Sequence, residues 1–81
     1  MRSYLTPRFL RLYAEAPAHI QKAFDQKLKF LLKNLRHPSL RAKKYDEARG
    51  IWQGRVNGGW RFYFSIEGDT YVIHTIRPHP K

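Results

Sequence analysis

The chain has no cysteine, so disulfides and thiolate metal sites are excluded. No apolar run is long enough to cross a bilayer. The first residues, Met1 to Tyr13, contain neither a separate apolar signal core nor a small-residue cleavage site. These absences lead to the expectation of a soluble, cytoplasmic protein with no membrane partner. Acidic residues are scarce, with six Asp and Glu against sixteen Lys and Arg, for a net charge of +10. From Gln26 to Tyr45 no acidic side chain occurs, yet Lys27, Lys29, Lys33, Arg36, Arg41, Lys43 and Lys44 do. Such a field concentrates polyanions, RNA above all, and equally attracts an acidic protein. The four histidines are scattered and no carboxylates cluster beside them, so no metal-ligand spacing is present. No phosphate-cradling glycine loop and no nucleophilic triad can be read either.

With 81 residues, one domain spanning 1–81 is expected. A chain of this size buries only about 60–65% of its unfolded surface, so its core must be simple. Arg2–Leu5 reads as a short edge strand. Thr6 and Pro7 form a helix start, threonine as N-cap and proline at a position whose N–H would be unpaired. Ala16-Pro17 ends this helix and opens another. There Ile20, Phe24, Leu28, Leu31 and Leu35 keep a 3.6-residue period and should face a sheet. His37-Pro38 stops it.

From Leu40 the period becomes two. Strands are expected at Leu40–Tyr45, Ile51–Asn57, Trp60–Ile66 and Thr70–Arg77. Asn57-Gly58-Gly59 should supply the positive-φ residues of a tight hairpin, and Glu67-Gly68-Asp69 those of the next. The fold expected is α+β: an N-terminal helical hairpin on a small, mainly antiparallel twisted sheet of four to five strands. Trp52, Val56, Trp60, Phe62 and Phe64 should be core. Gln53, Arg55, Arg61, Tyr63 and Ser65 should line the uncovered face. Tyr63 there is either a packing residue or a base-stacking platform. Of Lys43 and Lys44, which alternate in direction, Lys44 is expected to face the groove. His74 shares the parity of Val72 and Ile76 and should pack in the core. Asp46 and Glu47 read as loop residues, with a base role conceivable for Glu47.

The order short strand, helical hairpin, HPSLRAKK, GIWQGRV, GWRFYF, EGDT and PHPK resembles the RelE/ParE superfamily of bacterial toxins. The combination that carries the resemblance is His37-Pro38-Ser39-Leu40 after the second helix, Trp52 with Arg55 in one strand, and Trp60-Arg61 opening the next. It implies a toxin held in check by a cognate antitoxin protein, here expected to be acidic. RelE-like members cut mRNA in the ribosomal A site without a metal or other cofactor, whereas ParE-like members poison DNA gyrase. Fold alone does not choose between them, or against a basic RNA-binding module without either activity.

Carried over position by position, Arg61 stands where ribonuclease members place an arginine near the scissile phosphate. Gln53 and Arg55 occupy open-face positions where RelE has lysines. Lys43 and Lys44 match the basic end of an earlier strand. Arg77-Pro78-His79-Pro80 resembles a segment that reads Arg-Tyr-His-Tyr in some members. His79 then matches their catalytic histidine, and Pro80 replaces their tyrosine. The expected catalytic set is Arg61, His79 and Arg55. The expected RNA-binding set is Lys43, Lys44, Gln53, Tyr63 and Arg77.

Overall fold

A computed structural model describes residues 1–80; Lys81, the last residue of the PHPK motif, lies outside the described residues. The elements run β1 (Arg2–Leu5), α1 (Pro7–Glu15), α2 (Ala18–Lys33), a 3-10 turn (Pro38–Leu40), β2 (Lys43–Asp46), β3 (Ile51–Asn57), β4 (Trp60–Glu67) and β5 (Thr70–Pro78). The five strands form one sheet in the order β1-β5-β4-β3-β2. All neighbours are antiparallel except β1, which pairs with β5 in parallel. The two helices cover one face, α1 over β5 and α2 over β3.

The helix start at Thr6 has a double purpose. Its Oγ1 accepts from the Phe9 N–H at 3.0 Å and donates to the His74 carbonyl at 3.3 Å. One hydroxyl therefore satisfies a free helix donor and ties α1 to β5. At the other end of α1, the Gln21 amide donates to the Tyr13 carbonyl at 2.7 Å, holding the two helices at a fixed corner. Phe9, Ile20, Phe24 and Leu31 from the helices meet Val56, Phe62, Phe64, Tyr71, Ile73 and Ile76 from the sheet in one core. Leu28 and Leu35 pack against it while partly exposed, as do Trp52 and Trp60.

The structure departs from expectation in four places. The second helix ends at Lys33, and Leu35 follows it in the connection to the turn. Leu40 is not in a strand. Pro38 suits the first position of a helical turn, and the His37 Nδ1 accepts from the Ser39 N–H at 3.2 Å, so Pro38–Leu40 coils. Gly58 and Gly59 do not take positive φ; among the described residues only Arg41, Gly50 and Gly68 do. The Asn57 side chain instead accepts from the Gly59 N–H at 2.8 Å and makes the turn itself. Finally, a bulge opposite Tyr63 and Phe64 inserts one extra residue in β5. Phe64 pairs with Ile73 and Tyr63 with Thr75, so His74 is the unpaired one. Its ring leaves the core and Nε2 lies 2.8 Å from Ser65 Oγ, which in turn reaches Glu67.

Candidate nucleic-acid interface

The helices leave the far face of the sheet uncovered. Strand alternation puts Arg55, Arg61 and Arg77 on it, and register makes them neighbours: Arg55 is opposite Arg61, and Arg61 is opposite Arg77. Three arginines thus stand in register side by side across three strands. Like charges directly opposite one another destabilise a sheet. Lys43, Gln53 and Tyr63 form the next row. A depression of about 310 Å³ is lined by Arg41, Lys43, Gln53, Arg55, Arg61 and His79. A second, of about 390 Å³, is lined by Tyr45, Gln53, Tyr63, Arg77, Pro78, His79 and Pro80. Gln53 and His79 belong to both, so the two form one groove. No carboxylate lines it. The ion pairs among the described residues, Arg2–Asp69 and Arg49–Asp46, lie elsewhere.

The β3–β4 turn organises the groove twice. Arg61 Nη1 donates to the carbonyls of Asn57 at 2.6 Å and Trp60 at 3.0 Å, with Gly58 more distant at 3.4 Å. One edge of the guanidinium is thereby anchored, and it is pre-oriented for a bidentate anion. The His79 N–H donates to the Gly59 carbonyl at 2.7 Å, which draws the chain after β5 against the same turn. Arg61 and His79 therefore converge because one turn holds the side chain of the first and the backbone of the second.

Arg77 lies over the Tyr63 ring, with its guanidinium carbon 4.7 Å from the centroid. Tyr45 meets the same ring edge-on at 4.9 Å. Tyr63 is consequently only 9% exposed and is packed rather than presented as an open stacking platform. Tyr45, 56% exposed beside it, is the accessible aromatic. Gln53 is likewise buried and forms the groove floor rather than its rim.

Lys44 corrects another expectation. It is opposite Trp52 in register, its Nζ is 6.0 Å from that ring's centroid, and it lines a different depression with Asp46 and Glu47. Lys43 is the groove lysine. Alternation from the buried Leu40 puts Arg41, Lys43 and Tyr45 on the groove side and Lys44 on the side of Trp52, so strand parity itself favours Lys43. Glu47 lines that other depression and not the groove. Two groove residues were missed from sequence, Arg41 and Tyr45. The available signal was the parity that both share with Lys43, opposite to that of the buried Leu40. Behind the groove, Lys27 donates to the Ser39 carbonyl at 3.3 Å. Burial first, and then the charge of Arg55, lower its pKa from the usual lysine value.

Chemically, the groove offers cationic donors for phosphate and one imidazole. Histidine is the side-chain type that exchanges protons near neutral pH, and His79 is the histidine of the groove.

No family model matches the sequence, and no curated protein matches it. Solved structures do resemble it. The YoeB/ParE toxin from Agrobacterium tumefaciens superposes with a TM-score of 0.80 at 14% identity, covering 99% of this chain and 100% of that one. YafQ from Escherichia coli BL21(DE3) gives 0.78 at 12% identity over 98% of this chain and 94% of its own. The RelB–RelE antitoxin–toxin complex from Methanococcus jannaschii gives 0.72 at 18% identity, over 93% of this chain and 88% of the matched one. The two helices and the five-stranded mixed sheet match the fold of these toxin structures.

Proposed function

We propose that this protein is the toxin of a toxin–antitoxin pair and a metal-independent endoribonuclease that cuts translated mRNA on the ribosome. The observation that carries the reading is the Arg55–Arg61–Arg77 row, three adjacent cations with no carboxylate to balance them. A sheet tolerates that repulsion at low cost when a polyanion lies across it. Arg61, fixed by the turn carbonyls, takes the scissile phosphate and stabilises the charge of the phosphorane. His79 moves the proton, either from the ribose 2′-OH or to the leaving 5′-oxygen. Arg55, Lys43 and Arg77 hold flanking phosphates. The antitoxin is an acidic chain that competes for the same surface. Solved relatives captured with their antitoxins support such a partner.

A second reading is favoured by one feature. The groove lining contains one histidine, and Pro80 stands beside it where some ribonuclease members carry a tyrosine. A toxin that binds a protein such as gyrase needs no such group. Induced expression of the wild type and of Arg61→Ala separates the two, with mRNA 5′ ends and DNA supercoiling read from the same cultures. New cuts within translated codons, lost in a variant that still folds, support the ribonuclease. Arrested growth with intact mRNA and altered supercoiling supports the gyrase reading. RNA binding without growth arrest would leave a basic module with neither activity.

A further inference from the structure

Arg41 is in the left-handed region, with φ 45° and ψ 42°. That conformation is unfavourable for a residue with a Cβ, and glycine or asparagine is its usual occupant. The chain reverses here because Leu40 is fully buried while Lys43, three residues on, must pair with Gln53. The reversal needs the backbone conformation but not an arginine. The Arg41 side chain is exposed and makes no hydrogen bond or ion pair among the described residues. It nevertheless lines the groove with Arg55, Arg61 and His79.

The preceding turn is held from three directions. Phe30 stacks flat on His37 at 3.9 Å between ring centroids. The His37 Nδ1 bonds the Ser39 N–H and lies 2.9 Å from its hydroxyl. Lys27 donates to the Ser39 carbonyl. Strained conformations persist where their surroundings over-determine them, and they gather at binding sites.

We infer that Arg41 is a phosphate-binding residue of the groove, retained at a backbone position better suited to glycine because its guanidinium contacts the ligand. The inference rests on the polyanion reading above in naming RNA as the source of that phosphate. It assigns a cost in stability to a gain in binding, so the two must move in opposite directions on substitution.

The test uses Arg41→Gly and Arg41→Asn, both compatible with positive φ, with Arg55→Ala as a reference. The probe is a 2′-O-methyl oligoribonucleotide, which cannot be cleaved through its 2′-oxygen. Inorganic tripolyphosphate is the second probe. Melting temperature and the salt dependence of binding are measured for each protein. The expected result is an unchanged or higher melting temperature in Arg41→Gly, with weaker binding to both probes. Its log–log salt slope on the oligonucleotide should be shallower by about 0.7, one phosphate contact on a single strand. Arg41→Asn should lose the same slope. A wild-type slope in both variants, while Arg55→Ala flattens it, overturns the inference and leaves the RNA reading standing. A fall in melting temperature in both variants with binding retained overturns it too, by making Arg41 structural. If the wild type ignores the oligonucleotide but binds tripolyphosphate through Arg41, the inference holds and the RNA reading fails.

Discussion

Gly54 lies in β3 between two groove residues, Gln53 and Arg55, and faces the opposite way, into the core. A Cβ built there would sit 2.4 Å from both Cε1 and Cζ of Phe62 and 3.0 Å from Cε2. Ordinary carbon contacts are about 3.5–4.0 Å, so Gly54→Ala forces the ring back by more than about 1 Å. Phe62 has no free side to retreat toward. It is fully buried, edge-on to Phe24 at 5.3 Å and stacked on Phe64 at 5.4 Å. Overpacking of this kind costs about 1–3 kcal/mol, and the size of the overlap places this case near the upper end. Replacing glycine also removes unfolded-state entropy, a gain of about 0.4–1 kcal/mol. The net loss is about 2 kcal/mol, equivalent to a melting temperature lower by about 8–16 °C in a domain of this size. Urea unfolding measures it directly. Phe62→Leu removes the colliding ring atoms, so in that background Gly54→Ala should cost at least about 1 kcal/mol less than alone. In the folded single variant, displaced β3 should weaken RNA binding, and Phe62→Leu should restore part of it. A Gly54→Ala protein as stable as wild type, or costs that simply add with Phe62→Leu, would refute the account of a ring packed on bare backbone.

Other outcomes follow from the same geometry. Thr6→Ala removes both the helix cap and the link to the His74 carbonyl and should cost about 1–2 kcal/mol in urea unfolding; Thr6→Ser, which keeps the hydroxyl, should lose much less. Lys43→Ala should flatten the salt slope of single-stranded RNA binding by about 0.7, whereas Lys44→Ala, on the other face beside Trp52, should leave it unchanged. Burial, then the hydrogen bond to Asp25 and its charge, raise the Tyr13 pKa above the ordinary tyrosine value of about 10. The fold thus favours the protonated phenol, and this contribution is whole below that pH and lost as pH rises through the higher folded value. Thermal melts between pH 9 and pH 11, on the order of that range, should therefore fall more steeply for wild type than for Tyr13→Phe.

Much of this architecture is readable because it rests on short-range signals that agree. Thr6-Pro7 and Ala16-Pro17 mark helix boundaries by what proline and threonine do to free backbone donors. Strict alternation from Trp60 to Phe64 separates Phe62 and Phe64 from Arg61 and Tyr63, and a hairpin centred on Gly58-Gly59 then brings Arg55 opposite Arg61. The Arg55–Arg61 pair is thus a consequence of two periodic strands and one turn, whereas Arg77 reaches Arg61 through the bulged pairing of β5. The failure at His74 has a simple cause, which is that parity survives only while the strand is regular. A single inserted residue moves His74 out of the core and gives it Ser65 as a partner. Lys43 is a different case: alternation runs unbroken from the buried Leu40, so parity assigns Arg41, Lys43 and Tyr45 to the groove, and the expectation of Lys44 departed from it. Counting along the chain could not place His74, because a bulge is decided by pairing with the neighbouring strand. The same limit applies to Tyr63. Its parity was right, but its exposure depended on Arg77, fourteen residues further along, closing over the ring. The functional face is therefore half local and half tertiary. Its charge follows from composition and alternation and the anchoring of Arg61 from the turn just before it, whereas its shape and the approach of His79 come from contacts between distant parts of the chain. Sequence changes that preserve every charged residue but remove the Asn57 side-chain contact to Gly59 would therefore disturb the site more than loss of an outlying lysine.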